Sequence, residues 1–144
     1  MINNLFGKWD IIATTFSMWT DGKREHPSIT YTKLSDSPLT VNNQVKFLKY
    51  GKEKSIEGIE KYKDGQFIWR GKGLLKLFKS TWHFVYLDAD VLIIKFGSTL
   101  MTDAGLDILI QDKNRIQELK EKILHSYTDY KQTKEELEQL EWLV

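Results

Sequence analysis

The most constraining feature of this chain is a succession of short β-strand patterns that ends in a single change of period. About eight segments rich in β-branched and aromatic residues follow one another, with turn signals such as Asp64-Gly65 and Asp88-Ala89-Asp90 between them. No connection is long enough for a helical crossover, so the pattern predicts antiparallel strands. Beyond Asp112 the apolar residues take helical spacing, at Ile116, Leu119, Ile123 and Leu124.

Consecutive antiparallel strands hide their edges most completely when the sheet closes into a barrel. The pattern therefore predicts an eight-stranded antiparallel up-and-down barrel with a helix over residues 112–125 packed outside, and a two-sheet sandwich is the alternative. An outer helix would explain why both faces of Leu106 to Ile110 are apolar. Residues 133–143 predict a second short helix, and Leu74 to Phe78 fits either a strand or a loop.

Size and composition limit the function classes. The 144 residues predict one domain over 1–144, and the net charge of +1 argues against capture of nucleic acid. No cysteine, signal-peptide pattern or transmembrane run is present, so we expect a cytoplasmic protein, or an envelope or secreted one if the chain is a processed form. The three histidines lack metal-ligand spacing, so we expect no metal and no cofactor.

Short motifs, in their order along the chain, resemble those of one family. Gly7-x-Trp9 opens the first strand, within Phe6-Gly-Lys-Trp-Asp-Ile-Ile-Ala13. Further motifs are Tyr31 with the turn Ser35 to Leu39, Trp82 to Asp88, Leu106 to Gln111, and the closing Glu141-Trp142-Leu143. The chain is similar to the lipocalins of the calycin superfamily, and most to the small bacterial lipocalins.

The resemblance implies a barrel floor made by Gly7 and Trp9. In the family an arginine commonly lies across the floor tryptophan, as a cation–π contact. Gln111 occupies the matching position here, so we expect Arg115 or Lys113 to supply the cation. The resemblance also implies a function, which is to bind, carry or sequester a small hydrophobic ligand such as a fatty acid, lysolipid or pigment in the barrel lumen.

Strand periodicity selects the lining of that lumen. Because side chains alternate between the faces of a strand, an inward Trp9 places Ile11, Ala13 and Thr15 inward as well. The resemblance to the family's motifs implies further inward side chains on the other strands, and with Trp69 from the fifth strand they extend the ligand-binding prediction, with Tyr31 or Thr15 near a polar head group. The full set is Ile11, Ala13, Thr15, Tyr31, Val45, Phe47, Trp69, Trp82, Phe84 and Tyr86.

Two other functions stay open at this point. Glu60, Asp107, Tyr31 and Tyr86 are candidates for acid/base catalysis in a calycin-type isomerase or decarboxylase, with Asp107 near the floor. A solvated position for both carboxylates is the plainer interpretation. A solidly filled barrel whose surface binds a partner is the third class.

Overall fold

The computed structural model describes residues 2–73, 79–97 and 104–144. The strands are β1 (Gly7–Thr14), β2 (Arg24–Asp36), β3 (Leu39–Lys49), β4 (Lys52–Lys63), β5 (Gln66–Gly71), β6 (Lys79–Leu87), β7 (Val91–Phe96), β8 (Gly105–Ile110) and β9 (Glu141–Trp142). The α-helices are α1 (Ser17–Thr20), α2 (Ile116–His125) and α3 (Lys134–Gln139), and 3-10 turns cover Ile2–Leu5, Lys113–Arg115 and Tyr127–Tyr130. The segment Leu74 to Phe78, for which strand and loop were both open, lies outside the described residues.

Eight strands close into a barrel, as the sequence predicted. The order is β2-β3-β4-β5-β6-β7-β8-β1, every pairing is antiparallel, and β1 also pairs with β2. Strand β1 contacts β2 only as far as Asp10, which leaves its last residues with one open edge. The short β9 occupies that edge by pairing with Ala13 and Thr14.

The barrel wall separates two apolar clusters. The inner cluster fills the barrel and has as its buried members Leu5, Trp9, Ile11, Trp19, Ile29, Tyr31, Val41, Phe47, Phe67, Trp82, Leu87, Leu92, Ile94 and Leu109. The outer cluster lies between the barrel and the C-terminal helices and consists of Ile12, Ala13, Val91, Ile93, Leu106, Ile108, Ile110, Leu119, Ile123, Tyr130 and Leu140. Strand β8 supplies Leu109 to the inner cluster and its alternate residues to the outer one, so both of its faces are buried.

The C-terminal segment packs outside the barrel, as expected, but its helices are shorter than the periodicity indicated. Asp112 caps a 3-10 turn over Lys113–Arg115, and the α-helix begins only at Ile116. Helix α3 begins after Thr133, whose side chain and that of Glu136 form a reciprocal capping box. It ends before Glu141, where the chain becomes β9 and not the rest of a helix.

In strands β1 and β6 a register shift reverses the facing of the residues beyond it. In β1 the shift falls between Ile11 and Ala13, and in β6 it falls between Phe84 and Tyr86. A bulge adds one residue to one strand of a pair, so the side-chain alternation changes phase there. Predictions made from a strict period of two fail beyond both points.

Candidate ligand site in the barrel interior

One end of the barrel is closed by Trp9. Its ring is fully buried, and its indole Nε1–H donates a hydrogen bond to the Leu5 carbonyl at 2.8 Å. Gly7 lies next to it with φ +123°, a conformation that side-chain-bearing residues rarely adopt. The Gln111 amide packs against Gly7, 3.3 Å from where a Cβ would stand. Gly7 and Gln111 are therefore in contact at the end of β1 that carries Trp9, and their role with Trp9 as a barrel floor stays a prediction.

The expected cation over Trp9 is wrong. The Arg115 guanidinium pairs with Asp90 at 2.8 Å and with Glu118, and the Lys113 ammonium lies 3.7 Å from Asp10. In residues 2–73, 79–97 and 104–144, no cationic group lies over the Trp9 ring. Two carboxylates outside the barrel hold Arg115 there, and the bond to Leu5 orients the indole instead.

Aromatic side chains cover the interior at the opposite end. Helix α1 brings the buried Trp19 against Phe47, with ring centroids 5.4 Å apart. Phe16 contacts both Trp19 and Phe96, at 6.3 and 5.3 Å between centroids. The connection between β1 and β2 thus folds over the barrel mouth as an apolar cover.

The structure places most of the predicted lining residues on the inner face. Ile11, Tyr31, Phe47 and Trp82 are buried members of the inner cluster, and Val45 and Phe84 pack against it. Trp69 also faces inward, since its indole lies directly over Gly58, where a Cβ would overlap it. Ligand contact by these side chains remains a prediction.

Three of the predicted lining residues do not face inward as expected. Ala13 belongs to the outer cluster, and Tyr86 packs on Tyr130 outside the barrel, with ring centroids 4.9 Å apart. Both follow a bulge that reverses their facing. Thr15 lies beyond the end of β1, and its hydroxyl accepts the Leu106 backbone N–H at 2.9 Å. Its hydroxyl therefore anchors the edge of β8, which argues against a contact with a ligand head group.

A polar site built around Glu60 interrupts the apolar interior. The Asn43 side-chain amide donates to Glu60 Oε1 at 2.6 Å, and the Trp82 indole N–H donates to the same oxygen at 2.9 Å. Glu60 is fully buried, and burial raises the pKa of its carboxyl to about 8, although both hydrogen bonds act in the opposite direction. The solvated position considered for this carboxylate is therefore wrong.

Asp107 supplies a second buried carboxyl. It faces inward as predicted, but it pairs with Thr14 at the far end of β1 from Trp9, not near the floor. Its carboxylate accepts a hydrogen bond from the Thr14 hydroxyl, and burial raises its pKa to about 7. Strand β1 delivers Thr14 to this position only because of the bulge after Ile11.

Tyr31 lies close enough to Glu60 and Asp107 for the charge of each carboxylate to act on its phenol. Its ring lies 5.5 Å from that of Trp82, and Trp82 in turn stacks on Phe67 at 4.4 Å. Burial raises the pKa of the Tyr31 phenol well above its ordinary value, and the negative charges of Glu60 and Asp107 add to this effect. Within the described residues, no lysine, arginine or histidine is buried, so the interior carries acidic groups without a basic partner.

Sequence reasoning missed Asn43 and Thr14. Strict alternation from Val41, Val45 and Phe47 puts Asn43 on the inner face, and this signal was present in the sequence. Thr14 gave no comparable signal, because simple alternation from Trp9 points it outward.

Neither metal ligation nor a membrane-spanning helix emerges from the described parts of the chain. Across those ranges no group of three or more His, Cys, Asp or Glu side chains converges to hold an ion. Likewise, none of the helices described there is long and apolar enough to cross a membrane.

Comparison with known proteins identifies the fold. No family model matches the chain, and no curated protein matches its sequence. The chain is similar to the solved structure of the siderocalin Ex-FABP, which is described as functioning through dual ligand specificities. The TM-score is 0.59 at 12% sequence identity, and the alignment covers 88% of each chain. With its closed eight-stranded antiparallel barrel and outer C-terminal helix, this chain has the lipocalin (calycin) fold.

Proposed function

We propose that this protein binds one small, largely apolar molecule non-covalently inside its barrel, and so carries or sequesters it. The observation that carries the proposal is the composition of the inner face, where aromatic and aliphatic side chains surround one polar site at Glu60 and Asn43. Apolar ligand surface removed from water there contributes roughly 25 cal/mol per Å². Rigid rings provide this surface at a low cost in side-chain entropy.

Unsatisfied polar atoms support binding over a purely structural interior. Glu60 Oε2 and Asn43 Oδ1 are buried and have no hydrogen-bond partner in the described parts of the protein. A buried polar atom without a partner costs roughly 1–3 kcal/mol, so a core selected for stability alone avoids it. A bound molecule that reaches these atoms recovers part of that cost.

Native mass spectrometry of freshly purified protein, followed by titration of tryptophan fluorescence with a panel of apolar compounds, tests the proposal. We expect a co-purified small molecule, or saturable quenching by at least one compound class, because Trp82 and Trp69 face the interior. Trp82→Ala should weaken that binding. Trp142→Ala is the matched control, since Trp142 packs on the outer cluster.

The proposal fails if no compound co-purifies, no class changes the emission, and Trp82→Ala responds like the wild-type protein. That result would favour the alternative of a filled barrel that acts through its surface.

Acid/base catalysis in the lumen is the second candidate, favoured by the pKa values of about 8 for Glu60 and about 7 for Asp107. Each carboxyl accepts hydrogen bonds from its own neutral donors, and Tyr86, outside the barrel, leaves the candidate set. Incubation of any recovered ligand with the protein tests this function. Conversion seen by NMR that Glu60→Gln abolishes would establish an enzyme, and an unchanged ligand would leave binding alone.

A further inference from the structure

We propose that Glu60 and Asn43 form a head-group subsite for an organic cation, namely an alkylammonium group attached to an apolar chain or ring. The inference rests on the proposed function and adds the chemical class of the ligand.

The hydrogen bonds around Glu60 leave oxygen atoms unpaired. One N–H of the Asn43 amide and the Trp82 indole N–H both donate to Glu60 Oε1. The atoms left over, Glu60 Oε2 and Asn43 Oδ1, are oxygens of side chains that are 0% and 5% exposed, respectively. An ammonium group has three N–H donors and no acceptor, so it satisfies both oxygens at once.

The charges of the interior also favour a cation. The ionisable groups buried there, among the described residues, are Glu60 from β4, Asp107 from β8 and the Tyr31 phenol from β2. The partly exposed Arg24 guanidinium lies over the Phe47 ring and pairs with Asp21. Within the described residues, a ligand carboxylate would find no buried cation to pair with, and an unpaired buried charge is costly. An ammonium group meets the opposite charge, and its hydrogen bond to a carboxylate is of the strong, charge-assisted kind.

An aromatic wall surrounds the subsite. The ring of Tyr31 lies against that of Trp82, and the Trp69 indole covers Gly58, which pairs with Asn43 across the β3–β4 ladder. Indole and phenol faces attract cations, most strongly where water is excluded. The wall therefore favours a positively charged ligand, as the carboxylate of Glu60 does.

Cation binding at this site has a proton signature. The pKa of Glu60 is raised by burial, so near pH 7 the empty site holds a proton that an incoming ammonium displaces. Affinity for an amine should then rise up to tenfold per pH unit between pH 6 and 8. Asp107 titrates in the same range, whereas the Tyr31 phenol stays neutral.

Three probes with one chain length test the subsite: decylamine, decanol and decanoate, each used below its aggregation concentration. In tryptophan fluorescence and calorimetry at pH 7.5, decylamine should bind with the highest affinity of the three. Glu60→Gln should weaken decylamine binding about 10- to 100-fold, as expected for loss of a charge-assisted hydrogen bond, and should leave decanol binding nearly unchanged. Glu57→Gln is the matched control, because Glu57 lies on the outer face of the same strand and pairs with Lys72.

The outcomes separate this inference from the proposed function. Decanol or decanoate binding as tightly as decylamine, or a Glu60→Gln variant with full amine affinity, overturns the cation subsite and leaves lumen binding intact. Failure of decylamine to bind overturns the cation subsite whether or not the other two probes bind, and the panel of apolar compounds described above then decides whether the lumen binds a ligand. If Glu60→Gln does not fold, the wild-type protein alone tests the cation subsite. The test then rests on the order of affinities for the three probes and on the protons released when decylamine binds, which calorimetry in buffers of different ionisation enthalpy measures.

Discussion

The inner and outer clusters share the strands β7, β8 and β1, but their chemistry differs. Every member of the outer cluster has an apolar or aromatic side chain, and Ile12, Ile108 and Ile123 are at most 1% exposed. The inner face includes two buried carboxyls and two oxygens without partners, whereas the outer segment buries the neutral amide of Gln132, whose Oε1 is also unpaired. Among the described residues, only the interior therefore buries carboxyls, which cost stability and which binding can use.

The largest expected effect on stability concerns Trp9, the inner-cluster residue at the barrel floor. Trp9→Ala should lower the free energy of unfolding by roughly 3–5 kcal/mol, because it empties the barrel floor. Urea denaturation followed by circular dichroism measures the loss. Trp9→Phe keeps a ring but loses the hydrogen bond to Leu5, so its free energy of unfolding should lie between those of Trp9→Ala and the wild-type protein. Equal stability of Trp9→Ala and the wild-type protein would show that the ring is peripheral.

The outer cluster should respond through stability alone. Ile123→Ala should cost roughly 2–5 kcal/mol, since Ile123 is fully buried between α2 and the barrel. Leu124→Ala on the same helix is the control, because Leu124 is 40% exposed. The affinity for any lumen ligand should stay unchanged in both variants, and a large change in affinity would break the division between the two clusters.

The pH dependence of stability should come from the inner face. The folded protein holds Glu60 and Asp107 protonated up to pH values of about 8 and about 7, whereas in the unfolded chain both titrate near their ordinary values of 4.5 and 3.8. The folded state therefore binds more protons in this range, and stability falls as pH rises, by about 1.4 kcal/mol per pH unit for each carboxyl.

Urea denaturation at pH 5, 6, 7 and 8 measures this slope. Glu60→Gln should remove the part of the pH dependence that comes from Glu60. Its stability relative to the wild-type protein should therefore be highest at pH 8. A wild-type stability that is flat or rises over this interval would show that the buried carboxyls are not protonated.

The smallest expected effect tests the cap of the outer layer. Thr133→Ala should lower stability by about 1 kcal/mol, because it removes half of the capping box that starts α3. Thr128→Ala, at an exposed position in the preceding 3-10 turn, should change stability far less. Thermal unfolding of both variants provides the comparison, and equal melting temperatures would show that α3 contributes little.

Prediction from sequence succeeded where a local pattern determines the result. Short turns between strand patterns predicted an antiparallel closed barrel, and the helical spacing after Asp112 predicted a helix outside it. Alternation from Gly7 and Trp9 placed Trp9 in the interior, where the structure buries it. The inward facing of side chains was predicted correctly along β3 and the first half of β6, where alternation is unbroken. It failed at Ala13 and Tyr86, because each follows a bulge that no local residue pattern announced.

The amino-acid sequence by itself thus determined the order of strands and the apolar character of both faces of β8, since these follow from hydrophobic period and turn chemistry. Only the tertiary structure decided which polar groups enter the interior. Bulges in β1 and β6 set the facing of Thr14 and Tyr86, and pairing across β3, β4 and β6 brings Asn43, Glu60 and Trp82 together. A single inserted residue reverses every side chain beyond it, and contacts between distant strands have no local signature in the sequence.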